Sequence, residues 1–107
     1  MLIYEITATV DDALVPDFEK YMTERHIPDL LATGNFAAAF FAKAGNVYRI
    51  GYHADSREQF DAYIANHAER LRADFAGHFP TGIEVSRQVL EIVRLHPVAT
   101  APGSDII

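Results

Sequence analysis

Four stretches with strand spacing and two with helical spacing follow one another in this chain as strand, helix, strand, strand, helix, strand, and few folds accept that order. From Leu2 to Val10, Tyr4, Ile6, Ala8 and Val10 alternate with Glu5, Thr7 and Thr9, which predicts a strand with one dry face and one polar face. Asp11-Asp12 ends it. Pro16 suits a first helical turn, with Asp17 and Glu19 where the helix dipole favours acids, so a helix is expected to about His26. Its inner stripe is read as Phe18, Met22 and the Arg25/His26 pair, with Tyr21 at the margin. Pro28 is expected to break this helix, which restarts as a short turn through Asp29-Leu30-Leu31 and ends at Gly34.

Asn35 to Lys43 and Val47 to His53 read as a hairpin around Ala44-Gly45-Asn46, with Gly-Asn supplying positive φ angles. Tyr48, Ile50 and Tyr52 form the apolar side of its second strand. Ser56-x-x-Gln59 is a capping box, and Phe60, Tyr63, Ile64, His67, Leu71 and Phe75 then follow the spacing of one long helix. Ile83 to Leu95 reads as a last strand whose alternation slips around Val89 to Val93, as at a bulge or under burial on both faces. The expected domain spans residues 1–96, and residues 97–107, rich in small and helix-breaking side chains, are expected to form a flexible tail.

Right-handed crossovers applied to this order give a ferredoxin-like α+β fold, a four-stranded antiparallel sheet with two helices on one face. The helices should cover the Tyr4/Ile6/Ala8 and Tyr48/Ile50/Tyr52 side. Glu5, Thr7, Thr9, Arg49 and His53 then lie on a face without cover, and a chain of 107 residues leaves roughly a third of its unfolded surface exposed. A second copy is the expected partner.

The segment His26-Ile27-Pro28-Asp29-Leu30-Leu31-Ala32-Thr33-Gly34-Asn35-Phe36, with Tyr63-x-x-x-His67-Ala68-x-x-Leu71-Arg72, resembles the bacterial domain-of-unknown-function 4286 family. That family is similar to the dimeric α/β-barrel superfamily, and the match spans about residues 1 to 96. The resemblance implies two sheets packed face to face in a homodimer, and it implies no particular activity.

The candidate ligand-binding residues are His26, Tyr48, Tyr52 and His67. His26 closes the first helix and His67 sits on the inner stripe of the second, so both imidazoles are placed to face the space between helices and sheet, with Tyr48 and Tyr52 rising from below. A small aromatic metabolite is the expected ligand. In an enzymatic version, analogous to cofactor-free monooxygenases or isomerases of the barrel type, His26 or His67 is the catalytic base. In a third reading the histidines cap helix ends or fill the core, the tyrosines only pack, and the product is a structural or accessory dimer. Glu5 and Arg49, with His53 beside them, form an interface ion pair or hold an acidic ligand in the barrel.

Several classes lack support. The formal charge of −6 and nine dispersed basic residues disfavour nucleic acid and anionic membranes. There is no cysteine, hence no disulfide or thiol chemistry, and the five histidines show no ligand spacing for a metal. Phosphate-binding glycine loops, nucleophile elbows and paired catalytic carboxylates at motif spacing are missing, so nucleotide and common hydrolase functions lack support; no cofactor is expected. No apolar run approaches a membrane span and no leader is evident at the first residues, which makes the cytoplasm the expected compartment.

Overall fold

The computed structural model describes residues 1–97; the expected flexible tail lies, apart from Pro97, outside them. The elements are β1 (Leu2–Val10), a 3-10 turn (Asp12–Leu14), α1 (Val15–Tyr21), a π-helical segment (Met22–His26), α2 (Ile27–Ala32), β2 (Ala38–Ala44), β3 (Val47–Ala54), α3 (Arg57–Asn66), α4 (Ala68–His78) and β4 (Ile83–Glu91). The strands form one antiparallel sheet in the order β2-β3-β1-β4, with β1 and β3 in the centre. This is the ferredoxin-like arrangement.

The alternation expected for β1 holds. Tyr4 pairs with Tyr52 and Val89, and Ile6 with Ile50 and Arg87, so these residues share the face that the helices cover. Glu5 pairs with Gly51 and Gln88, and Thr7 with Arg49 and Ser86, on the opposite, open face. The core on the helix side is aromatic: Tyr4, Phe18, Tyr48, Tyr52, Phe60 and Tyr63 are all buried. Phe36 precedes β2 and turns into this core, Phe41 joins it from β2, and Phe40 points the other way. That explains why the three phenylalanines show no common period.

Pro28 does not break the first helix. Ile27 N–H donates to the Met22 carbonyl five residues back, and this widened turn gives the proline ring the room that a regular α-helix denies it. The inward stripe therefore takes a five-residue step, from Phe18 and Met22 to Ile27 and then Leu30. Tyr21 is core rather than marginal, and Arg25 points outward to Asp74. At the end of α2, the Thr33 hydroxyl donates to the Leu30 carbonyl (2.7 Å) and Gly34 takes φ +80°.

The second helix is two helices. Ser56 Oγ accepts from Gln59 N–H (3.2 Å), but the Gln59 side chain accepts from Asn35 (2.9 Å) instead of closing the capping box. The chain then bends at His67 (φ −133°, ψ −28°), so α3 and α4 follow the curve of the sheet as separate segments. Ile64 consequently faces solvent. In the hairpin only Gly45 has positive φ (+62°), the sign pattern of a type II′ turn, and Asn46 instead donates its side-chain amide to the Val10 carbonyl (2.7 Å). β4 stops at Glu91, where β1 runs out of partners, and its ladder to β1 is continuous, without a bulge. Val89 and Leu90 lie on opposite faces of this edge strand and are both exposed, which accounts for the lost alternation.

Candidate functional site

Between the helices and the sheet lies a cavity of about 40 Å³, room for a few water molecules. Phe18, Leu30, Ile50, Tyr63 and Phe75 make its walls apolar, while His26 and Tyr52 bring polar atoms into it and Arg72 and Arg87 add two guanidinium groups. The sheet contributes Tyr52 because β3 is a central strand whose even-numbered side chains face the helices. The π turn contributes His26, its last residue.

Two polar atoms at this cavity have no partner among the described residues. The Tyr52 hydroxyl and His26 Nδ1 are both buried and unbonded. A buried polar group left without any hydrogen bond costs about 1–3 kcal/mol, so two around one small space call for water or a ligand between them. Burial raises the Tyr52 phenol well above its ordinary range and keeps it protonated, hence a donor. Burial also lowers His26 to about 4, with Asp74 and Asp29 opposing the shift and Arg87 and Arg25 adding to it. At neutral pH its imidazole is uncharged. The ring is held between Tyr21 (centroids 5.7 Å apart) and Phe75 (5.5 Å).

The supporting contacts are ordered. Tyr21 donates its hydroxyl to Asp74 (2.7 Å), which also accepts from Arg25 (2.6 Å), and this ties α1 and the π segment to α4. Arg72 donates to the Tyr4 hydroxyl (3.0 Å). Arg87 has no ion pair or side-chain hydrogen bond among the described residues, and Arg72 has no ion pair there either. Sequence reasoning passed over both arginines. A signal for Arg87 was present: it interrupts the apolar alternation Ile83, Val85, Val89 on the helix-facing side of β4.

Of the four candidate ligand residues, the fold brings His26 and Tyr52 together and places the other two elsewhere. Tyr48 points toward α1 and the surface, where it donates to Glu19 (2.5 Å), whose same carboxylate oxygen accepts from the Lys43 ammonium (2.7 Å). Its hydroxyl is satisfied. His67 sits at the α3/α4 bend, stacked on Tyr63 (6.4 Å) with Nδ1 3.4 Å from Arg70 Nη2, and does not line the cavity. Among the described residues no three His, Asp or Glu side chains converge as a metal site requires.

On the open face, Glu5 is only 7% exposed although no helix covers it, and it accepts from both Arg49 (2.5 Å) and Gln88 (2.9 Å). Those two donors hold its carboxyl below the usual range. Phe40 lies across Gly51, where an added Cβ would come within 2.0 Å of the ring. His53 meets the edge of Phe40 at 6.4 Å, and Thr7 and Thr9 flank the ion pair.

A ferredoxin-like sheet with a polar-tipped cavity under its helices defines a class of small α+β proteins rather than a reaction. Within that class, the chain belongs to the family described as domain of unknown function DUF4286, whose model matches residues 1–93. No curated protein matches it in sequence. Among solved structures it is similar to the heme-degrader MhuD from Mycobacterium tuberculosis, with two hemes bound in that protein's active site (20% identity, 91% of this chain and 100% of that one, TM-score 0.67). It is also similar to a putative antibiotic biosynthesis monooxygenase from Deinococcus radiodurans (12% identity, 92% and 99%, TM-score 0.64). A third is a dimeric ferredoxin-like protein from an uncultured marine organism (10% identity, 92% and 100%, TM-score 0.63). At these identities the likeness establishes the fold.

Proposed function

We propose that this protein is a homodimer that binds a small aromatic metabolite between helices and sheet, with Tyr52 and His26 as its polar contacts. The observation that carries this reading is the pair of unbonded buried atoms, the Tyr52 hydroxyl and His26 Nδ1, at one apolar-walled cavity. Ligand sites combine apolar walls with a few convergent polar groups, and this cavity has that composition. A single ring exceeds its present volume, so binding moves side chains, with half-buried Phe75 and exposed Arg87 the freest to yield. A porphyrin is larger still and does not suit the cavity as built. The test is a thermal-shift panel of monocyclic aromatic metabolites: stabilisation of the wild type that disappears in Tyr52→Phe and His26→Phe supports the site, and shifts that survive both substitutions remove it.

The second copy is proposed to cover the open face through Glu5, Thr7, Thr9, Arg49 and His53, within an apolar rim of Phe40, Val47 and Leu90 that one protomer leaves more than a third exposed. Phe40→Glu places a charge in that rim, so sedimentation should show twice the 11.9 kDa chain mass for the wild type and a single chain for the variant. A wild type that sediments as one chain ends the dimer proposal. Among the described residues no helix is long and apolar enough to cross a membrane. The cytoplasm is the proposed compartment, in keeping with a chain free of cysteine.

An enzymatic reading of the same site is favoured by one observation: His26 is neutral and carries an unbonded buried nitrogen. With its conjugate acid near 4 it is a weak base, suited only to a ligand proton that the site itself acidifies. Oxygen uptake with a hydroquinone panel, lost in His26→Phe while the dimer persists, would establish it.

A further inference from the structure

We infer that the cavity selects an acid: a monocyclic aromatic carboxylate, hydroxylated at the far end of the ring, with its hydroxyl inward at Tyr52 and His26 and its carboxylate outward at Arg87 and Arg72. The inference rests on the proposed ligand site and adds the polarity and direction of its ligand. The chain carries a net charge of −6, yet two arginines that have no carboxylate partner among the described residues line the same cavity. Among the described residues, ion pairs elsewhere occupy Arg25, Lys43, Arg49, Arg57 and His78. Asp74, a carboxylate that acts on His26, is already bonded to Tyr21 and Arg25, so it does not neutralise either cavity arginine.

The two ends of the cavity recognise different chemistry. Tyr52, 1% exposed and protonated, offers a phenol donor, and uncharged His26 offers a ring nitrogen; neither suits a bare carboxylate as well as a guanidinium does, and both suit a hydroxyl that donates once and accepts once. Arg87 projects from the edge strand β4, exposed and with every N–H free of side-chain partners among the described residues. Arg72, fixed by its bond to Tyr4, keeps further N–H groups for a second contact. A planar guanidinium pairs with a carboxylate through two parallel hydrogen bonds, which a neutral ligand cannot reproduce. Phe18, Ile50, Tyr63 and Phe75 line the same cavity with apolar surface that can face a ring once Phe75 and Arg87 yield.

The experiment is calorimetric titration of the full chain with 4-hydroxybenzoate, benzoate and phenol near neutral pH. 4-Hydroxybenzoate should bind about tenfold tighter than either truncated probe, and added salt should weaken it more than phenol. Arg87→Gln should remove the advantage over phenol, and because Arg87 is exposed the variant should keep the wild-type circular dichroism. Arg72→Lys, which retains charge without the planar fork, should show a smaller loss in the same direction. If phenol binds as tightly as the acid, or Arg87→Gln leaves the acid's affinity intact, the acid assignment falls while the ligand site stands. If none of the three probes binds, the acid assignment falls, and the ligand site is then judged by the metabolite panel.

Discussion

The two faces of the sheet treat buried polarity in opposite ways. On the open face Glu5 is nearly inaccessible and its Oε1 accepts from both Arg49 and Gln88, while Phe40, Val47 and Leu90 leave an apolar rim exposed around it. On the helix face the apolar packing is dense and aromatic, and polarity is what is left over, at Tyr52 and His26. A satisfied ion pair beneath an exposed apolar rim suits a surface that meets protein; unmet polar atoms inside an apolar shell suit one that meets a small molecule. The difference is reversible by single substitutions, and each face predicts its own response.

The largest response is expected from His26. Its folded-state pKa of about 4 lies below the ordinary 6.5, so between these values the unfolded chain binds a proton that the folded chain refuses. Stability is therefore lost as pH falls from 6.5 toward 4, by roughly 3 kcal/mol if the whole shift is expressed. Denaturant unfolding at a series of pH values measures this slope. His26→Phe should flatten it over that window while retaining ring packing, whereas the loss below 4.5, where lowered carboxyls such as Glu5 take up protons, should remain. An unchanged slope in the variant would show that the imidazole is solvated and that the helix-face polarity is not buried.

On the open face Arg49→Met leaves the Glu5 carboxylate with Gln88 alone. A charge-assisted hydrogen bond contributes about 1.5–3 kcal/mol, and half of the Arg49 side chain is exposed, so a loss of about 2 kcal/mol is expected from chemical denaturation. Adding Glu5→Gln should recover most of it, because a neutral amide no longer needs the cation. If the single variant costs nothing, Glu5 is reached by water and the open face is not the satisfied one.

How far each face was legible follows from which interactions place its residues. Strand alternation located Glu5, Arg49, Tyr52 and the open face correctly because period-two geometry is local and the hairpin at Gly45 fixes the register. In the helices local rules failed: the break expected at Pro28 is absorbed by a π turn, and the one long helix expected through His67 bends there, since wrapping a curved sheet overrides spacing along one helix. The site suffered accordingly. His26 and Tyr52 were legible as neighbours of a cavity, His67 and Tyr48 were drawn into it by ideal spacing, and Arg87 was overlooked because one charge on an edge strand reads as solvent-facing until the register to Ile6 is known.

The smallest response is also the most diagnostic. Tyr52→Phe deletes a buried hydroxyl that has no partner among the described residues, so the unliganded protein should become more stable by about 1 kcal/mol, several degrees in Tm for a chain of this size. A tyrosine that merely packed with its hydroxyl hydrogen-bonded would lose stability on the same change, and Tyr48→Phe supplies that control, because its hydroxyl bonds Glu19. Opposite signs for the two substitutions would mean that the chain gives up folding free energy at Tyr52 and not at Tyr48. Retention of a destabilising hydroxyl is a trade between stability and binding, and a ligand that restores the missing hydrogen bond is the physical reason for making it.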